Sequence, residues 1–223
     1  MSSEVVEERY SRHSDMIDVE RLKTLPIRII GAGSVGSFTC LALSKMGAQN
    51  IKAWDDDMID EVNIGNQFYR MEDVGEYKVE ALQKMIMDFE GVPIETESDL
   101  YDGTVDCDGI IIMAVDNMTA RKRIWEKVKG NDKVSLMIDP RMGAKVARIY
   151  TVNPMEYHDY EDSLYSDEEA TEERCTERTI IYTVMGIAGL ICRQIESYMN
   201  GNAKDFEEII FDYQTYYMSH VGK

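Results

Sequence analysis

A glycine-rich turn between an apolar run and a helical pattern constrains the fold of this chain more than any other stretch. The apolar run covers residues 27–30, the helical pattern reaches Met46, and a second apolar run at residues 51–54 ends in three acids. The turn has the spacing G-x-G-x-x-G, formed by Gly31, Gly33 and Gly36. This order predicts a βαβ unit that binds a nucleotide, because glycines let the backbone approach phosphates and the helix N-terminus offers free N–H groups.

The residues after this unit distinguish two kinds of nucleotide site. Asp55 ends the second apolar run, where a carboxylate can accept hydrogen bonds from ribose hydroxyls, and this pattern is common in sites for NAD and FAD. A polar and basic set follows it, consisting of Asn63, Asn66, Gln67, Arg70 and Lys78. A hydride-transfer site does not need such a set, whereas a site that handles a triphosphate does.

Length and net charge limit the classes to which this protein can belong. The 223 residues carry a formal net charge of −18, with 44% hydrophobic and 30% charged residues, values compatible with one soluble globular domain with a full core. The negative charge argues against nucleic-acid binding and against docking on anionic membranes. No apolar run approaches the roughly 20 residues needed to span a bilayer, and the acidic start lacks the apolar stretch of a signal peptide.

The cysteines favour a reducing, cytoplasmic location. Cys40, Cys107, Cys175 and Cys192 are scattered along the chain and form no CxxC pair. Neither a structural zinc ribbon nor a disulfide framework is therefore indicated.

Hydrophobic periodicity predicts an α/β fold, doubly wound, with a mainly parallel, Rossmann-like sheet in a single domain over residues 1–223. We expect an N-terminal helical arm at residues 1–25 and a nucleotide-binding core at 27–150. A crossover loop, a helix and a final strand are expected within residues 151–223.

Three strand predictions bear on the site and on the end of the chain. The almost wholly apolar run at residues 109–115 is typical of a central parallel strand. The next buried strand is expected to end at Ile138, and the last strand is placed at residues 209–218. Ligands of such sheets lie beyond the carboxyl ends of the strands, so Asp116 is expected beside the ligand of the glycine turn.

Taken together, these residues resemble the ThiF/MoeB/HesA superfamily, the ubiquitin-activating type of adenylating proteins. The resemblance extends over roughly residues 9–199 and also rests on the stretch Arg9-Tyr10-Ser11-Arg12 and on Asp116-Asn117. It implies an adenylyltransferase that uses ATP and magnesium to adenylate a C-terminal carboxylate. The substrate would be a ubiquitin-like protein, a sulfur-carrier protein or a peptide, and the enzyme would act as a homodimer.

The resemblance also implies a role for each matching residue. Lys78 would stabilise phosphate oxygens as a point charge, and Asp116 would hold Mg²⁺, a cation that prefers carboxylate and water ligands. Asp55 would contact the ribose, and Asp57 and Asn63 would complete the nucleotide pocket.

The resemblance also bears on two arginine positions, Arg12 and the position before Gln67. Arg12 corresponds to the arginine that, in the family, reaches across the dimer to the partner's triphosphate. The family often has arginine before the glutamine that corresponds to Gln67, whereas this chain has Asn66. Arg70, Lys122 or Arg123 could replace the missing cation.

Cys175 resembles the cysteine that accepts the activated acyl group as a thioester in several family members. Arg174 and Arg178 beside it would favour the thiolate. Other members have no functional cysteine at this position and stop at the adenylate. Two other functions stay open: an NAD-dependent oxidoreductase, and a non-catalytic ATP-binding or scaffold relative of the family.

Overall fold

The computed structural model describes residues 8–156, 158–165 and 179–222. The helices are α1 (Val19–Thr24), α2 (Ser34–Met46), α3 (Lys78–Glu90), α4 (Met118–Val128), α5 (His158–Glu161) and α6 (Ile181–Met199). The strands are β1 (Ile27–Ile30), β2 (Ile51–Trp54), β3 (Glu95–Glu97), β4 (Gly109–Met113), β5 (Val134–Gly143), β6 (Val146–Val152), β7 (Phe206–Asp212) and β8 (Tyr217–Gly222). Within these ranges no helix combines the length and apolar character that crossing a membrane requires.

The strands form one sheet in the order β3-β2-β1-β4-β5-β6-β7-β8. Neighbours from β3 to β5 pair in parallel, and neighbours from β5 to β8 pair antiparallel. Strand β1 pairs with both β2 and β4, so the chain reverses its direction of travel through the sheet there. This confirms the predicted doubly wound, mainly parallel sheet and places its switch point beside the glycine turn.

The core covers both faces of the sheet, because the central strands β1 and β4 are buried along their whole length. One face packs against α2, α3 and α6 through side chains such as Leu43, Leu82 and Ile191. The other face packs against α4 and α5, where Trp125 and Tyr160 are fully buried. Helices on both faces leave the carboxyl ends of the parallel strands open to ligands.

Strand β5 is longer than the sequence predicted. It was expected to end at Ile138, but it continues through Asp139 and Pro140 to Gly143 and pairs with β6 over this extension. Proline is tolerated in a strand that lacks a partner on one side, and the pairing with β4 stops at Ile138. The longer strand brings Asp139 and the residues after it to the open end of the sheet.

The prediction of one final strand at residues 209–218 was wrong. This region holds two strands, β7 and β8, joined by a tight turn into an antiparallel hairpin. Asp212 closes the turn, since its carboxylate accepts a hydrogen bond from Gln214 N at 2.8 Å. The hairpin extends the sheet by one more strand at its antiparallel edge.

The described part of the N-terminal arm is less helical than predicted. Residues 8–10 are helical, turns follow them, and α1 begins separately after Asp18. The Asp18 carboxylate accepts a hydrogen bond from Arg21 N at 3.0 Å and so starts a new helix. The arm packs on the body through buried Tyr10, Ile17 and Leu22.

Candidate active site

The glycine turn is shaped by contacts that no larger residue would allow. Gly31 has a φ of +97°, and a Cβ there would lie 2.4 Å from the carbonyl oxygen of Ala114 at the end of β4. A Cβ on Gly36 would lie 1.9 Å from the carbonyl oxygen of Gly31. Gly33 differs, since a Cβ there would meet no atom of the described residues within 4 Å. Gly31 and Gly36 therefore close the turn, and Gly33 faces open space.

A cleft of about 650 Å³ lies beyond the carboxyl ends of the parallel strands. Most residues predicted for the site line it: Gly31, Gly33, Asp55, Asp57, Asn66, Gln67, Lys78 and Asp116. These residues come from the ends of β1, β2 and β4, from the segment between β2 and α3, and from the starts of α2 and α3. The structure thus brings distant parts of the sequence together at the switch point of the sheet.

Asp55 holds the glycine turn against the end of β2. Its carboxylate accepts hydrogen bonds from Ala32 N at 2.6 Å and from Asp57 N at 2.9 Å. Burial raises the pKa of Asp55, and the nearby ammonium group of Lys78 and the two backbone bonds oppose that rise. The free cleft therefore presents a partly desolvated carboxylate beside the turn.

Lys78 is the first residue of α3 and is 7% exposed. Its Nζ lies 2.5 Å from Asp57 Oδ2 and 3.7 Å from Asp55 Oδ1. A lysine at a helix N-terminus is repelled by the helix dipole, and these carboxylates offset that repulsion. The same position places a cation where an anionic ligand at the helix N-termini would lie.

Two amide side chains in the cleft fit a polar ligand such as ATP. Asn66 Oδ1 and Gln67 Oε1 are buried, and neither atom has a hydrogen-bond partner among the described residues. A buried polar atom without a partner costs free energy, about 1–3 kcal/mol. A nucleotide in the cleft would supply partners, so the residues present fit this ligand.

Asp116 fits a hard cation. It is exposed at the mouth of the cleft, where its Oδ1 accepts a hydrogen bond from Asn117 Nδ2 at 2.9 Å. Asn117 is itself fixed because it caps α4 through Ala120 N. The carboxylates of Asp55, Asp56 and Asp57 also lie close together. Oxygen ligands of this kind suit Mg²⁺.

Four predicted site residues that the structure describes lie outside the lining of the cleft: Gly36, which closes the turn, Arg12, Asn63 and Arg70. Asn63 accepts a hydrogen bond from Asp60 N at 2.9 Å and so caps the 3-10 helix Glu61–Asn63. The guanidinium of Arg70 is paired with Asp73, with Nη2 2.8 Å from Oδ1. Among the three cations considered as a replacement at Asn66, Arg123 lines the cleft, whereas Arg70 and Lys122 do not.

Arg12 does not line the cleft of its own chain. The next residue, His13, lies with Nε2 3.1 Å from the carbonyl oxygen of Met46, at the C-terminal end of α2. The glycine turn is at the other end of that helix, about 20 Å away at 1.5 Å per residue. Arg12 is exposed.

Cys175 lies outside the described residues, so its predicted role stays a prediction. Cys40 and Cys192 are buried in α2 and α6, and burial raises the pKa of each thiol to about 12. Both are therefore protonated near neutral pH and inert as nucleophiles.

A charged network in the wall of the cleft was not predicted from the sequence. Asp139 is fully buried and accepts hydrogen bonds from Arg121 Nε at 2.8 Å, Arg141 Nε at 2.8 Å and the Tyr160 hydroxyl at 2.9 Å. Arg121 also donates to the carbonyl oxygen of Val115 at 2.5 Å. The network therefore fixes the backbone immediately before Asp116.

The same network holds the segment that follows β6. Arg141 donates to the carbonyl and hydroxyl oxygens of Ser163 at 2.8 and 3.0 Å, and it stacks over the ring of Tyr150. The signal available in the sequence was Arg121, which lies in the apolar stripe of α4 with Met118 and Trp125. A buried arginine requires an anionic partner.

The fold and this polar cleft define a Rossmann-type protein with its candidate site at the switch point of the sheet. The chain belongs to the ThiF family, whose family model matches residues 10–219. This confirms the resemblance found in the sequence.

Three known proteins illustrate the similarity. The probable adenylyltransferase/sulfurtransferase MoeZ of Mycobacterium tuberculosis (strain CDC 1551 / Oshkosh) is 35% identical over 85 residues, which cover 35% of this chain and 22% of that protein. The catalytic subunit of the NEDD8-activating enzyme E1 of Arabidopsis thaliana is 33% identical over 108 residues, 44% of this chain and 23% of that protein. The chain thus spans about a quarter or less of these two relatives.

The third protein is similar in fold. The crystal structure of E. coli MccB with ATP superimposes with a TM-score of 0.76 at 16% identity, covering 100% of this chain and 73% of that chain.

Proposed function

We propose that this protein uses ATP and Mg²⁺ to adenylate the C-terminal carboxylate of a ubiquitin-like protein, a sulfur-carrier protein or a peptide. The observation that carries the proposal is the convergence in one cleft of Lys78, Asp116 and the unpartnered amides of Asn66 and Gln67. Relatives that include a probable adenylyltransferase and a NEDD8-activating enzyme support the same chemistry. The crystal structure of MccB with ATP supports the choice of nucleotide.

In the proposed reaction a carboxylate oxygen of the substrate attacks the α-phosphorus of ATP. The bond from that phosphorus to pyrophosphate breaks, and an acyl-adenylate and pyrophosphate form. Both reactants are anions, so the site must hold them together and offset the charge on the phosphate oxygens. Lys78 supplies a positive charge next to the helix N-termini. Asp116 would hold Mg²⁺, which neutralises phosphate charge when bound.

The proposal includes a homodimer. Arg12 lies about 20 Å from the glycine turn of its own chain, at the opposite end of α2. An arginine side chain is far shorter than this distance, so Arg12 cannot serve its own cleft from this position. Reaching the cleft of a second copy is the role that the family resemblance implies for it.

A second step would transfer the acyl group to Cys175. The thiolate sulfur would attack the acyl carbon, AMP would leave, and a thioester would form. The raised pKa values of Cys40 and Cys192 support Cys175 over these two thiols. A thiol-sensitive conjugate that is absent from Cys175→Ser would support this step, and an unchanged product would contradict it.

The test of adenylation is carboxylate-dependent ATP–pyrophosphate exchange. Candidate substrates are small proteins with flexible C-terminal tails and short peptides with a free carboxylate. We expect the wild-type protein to catalyse this exchange and the variants Lys78→Ala and Asp116→Ala to lose it. The matched control is Lys84→Ala, because Lys84 is on the same helix as Lys78 but is exposed and paired with Glu76, outside the cleft.

Two results would contradict the proposal. ATP binding without exchange for any of these substrates would indicate a scaffold relative. Tight NAD binding without ATP binding would indicate an oxidoreductase.

A further inference from the structure

Arg9, three residues before Arg12, makes contacts that the proposed function does not use. Its guanidinium donates to the carbonyl oxygens of Glu90 and Phe89 at 2.7 and 3.2 Å, at the C-terminal end of α3. It also forms an ion pair with the Glu90 carboxylate. Lys45 of α2 reaches the same carboxylate, with Nζ 2.6 Å from Oε1. Glu90 is 4% exposed, so one buried carboxylate joins the arm to two helices.

Other residues of the arm also contact helix ends. His13 lies against the carbonyl oxygen of Met46 in α2, and Arg21 donates to the carbonyl oxygen of Met199 in α6 at 2.7 Å. The last carbonyls of a helix have no partner within the helix, and cations are favoured at its negative end. Residues 9–21, called here the arm cap, therefore cover the C-terminal ends of three helices.

The arm cap and the cleft lie at opposite ends of the same helices. Both α2 and α3 begin at the cleft, with Ser34 and Lys78, and both end at the arm cap. Arg12 lies inside the arm cap, between the contacts of Arg9 and His13. It is exposed and has no ion pair with any residue that the structure describes. Contacts thus hold the backbone on both sides of Arg12, while its side chain forms no ion pair within the described part of the chain.

We propose that the Glu90–Arg9 ion pair positions Arg12 for the cleft of a second copy of this chain. This inference rests on the proposed function, in which Arg12 contacts the partner's triphosphate. Arg9 and Glu90 are positioning residues and contact no ligand themselves. A long side chain that acts from a fixed backbone loses less conformational freedom on binding than one on a mobile arm.

The test uses mixed dimers in which one cleft is intact. One chain, the donor, carries Lys78→Ala and supplies its Arg12 to the cleft of the other chain. The other chain, the acceptor, carries Arg12→Ala and keeps its Lys78, so only the acceptor's cleft is intact. The two chains are co-expressed with different affinity tags, purified as the mixed dimer, and titrated calorimetrically with ATP in the presence of magnesium. We expect one tight site per dimer, with the dissociation constant of the wild-type protein.

Arg9→Ala is then placed in either chain. In the donor chain it should weaken the tight site tenfold or more, and Arg12→Ala in both chains should do the same. In the acceptor chain it should change the dissociation constant by less than twofold, because the Arg12 of that chain is already absent. The two dimers carry the same substitutions, so a general loss of stability would affect both. Arg9→Lys in the donor chain should restore part of the affinity.

The inference would be overturned if the dimer with Arg9→Ala in the donor chain and the dimer with it in the acceptor chain bound ATP with equal affinity, whether both tightly or both weakly. The inference rests on two parts of the proposed function, ATP binding and an Arg12 that reaches the partner's cleft, and their failure gives different results. In that case the wild-type protein would bind no ATP, or the mixed dimer with intact Arg9 would have no tight site.

Discussion

Lys78 Nζ and Asp57 Oδ2 lie 2.5 Å apart in the cleft, so the cation predicted to contact phosphates is paired with a carboxylate. The pair joins the start of α3 to the loop after β2, and Asp55 Oδ1 lies 3.7 Å from the same nitrogen. The ammonium group has three N–H donors, so under the proposed function a phosphate oxygen would join Asp57 at Lys78 or replace it.

The first prediction concerns this lysine. Lys78→Ala should weaken ATP binding roughly 10- to 100-fold, since a hydrogen bond to a charged group contributes about 1.5–3 kcal/mol. AMP binding should change less, because AMP lacks the outer phosphates. Calorimetric titration measures both. Lys84→Ala should match the wild type, and an equal loss in both variants would show that the effect is not specific to the cleft.

The second prediction separates the glycines of the turn. Gly36→Ala should cost about 2 kcal/mol or more of unfolding free energy, because its Cβ would lie 1.9 Å from the Gly31 carbonyl oxygen. Gly33→Ala should leave stability nearly unchanged and weaken ATP binding, since its Cβ would point into open space beside the ligand. Urea unfolding and ATP titration measure the two effects. The reverse pattern would show that Gly33 shapes the turn and Gly36 faces the ligand.

The third prediction concerns the buried network at Asp139. Asp139→Asn should cost about 3–5 kcal/mol of unfolding free energy, because it leaves Arg121 and Arg141 buried without their anion. Tyr160→Phe removes a single hydrogen bond to that carboxylate and should cost about 2 kcal/mol. Urea unfolding gives both values. A cost below about 1 kcal/mol for Asp139→Asn would mean that the network does not stabilise this end of the sheet.

The fourth prediction concerns pH and Arg70. The hydrogen bond from Arg70 holds the pKa of Asp73 below its usual value of 3.8. The folded protein therefore gains stability from this carboxylate above pH 3.8 and loses it as the pH falls through the lower, folded value. Arg70→Ala should move the midpoint of acid unfolding to higher pH. Circular dichroism during an acid titration measures that midpoint.

ATP binding provides the control for this variant. Arg70 is paired with Asp73 outside the lining of the cleft, so Arg70→Ala should bind ATP as the wild type does at pH 7. A large loss of affinity would show that Arg70 leaves Asp73 for the nucleotide and replaces the cation missing at Asn66.

The parts of the site that the sequence predicted are those encoded by local pattern. The βαβ unit was recognisable because an apolar run, a glycine turn and a helical period follow one another without interruption. Asp116 was placed correctly at the cleft because it directly follows an apolar strand. Arg121 of α4 was not predicted as part of the site, although it is buried and paired with Asp139 of β5.

The remaining differences arise from side-chain contacts with nearby residues and from an unusual turn. Asn63 and Arg70 are residue types that polar sites use, but their side chains form hydrogen bonds with Asp60 and Asp73, each three residues away. The turn of the last hairpin contains no glycine or proline, and Tyr216 adopts a φ of +58°, which is rare for a large side chain. Asp212 is the one residue at this turn of a type that strongly favours turns, and alone it did not predict two strands in place of one.

A crystal structure of the protein with ATP and Mg²⁺ would test the proposed function most directly. We expect the triphosphate between the glycine turn and the start of α3, with Lys78 Nζ within hydrogen-bond distance of a phosphate oxygen and the metal bound by Asp116. Phosphates bound elsewhere, with Lys78 still paired to Asp57 and no metal at Asp116, would contradict it.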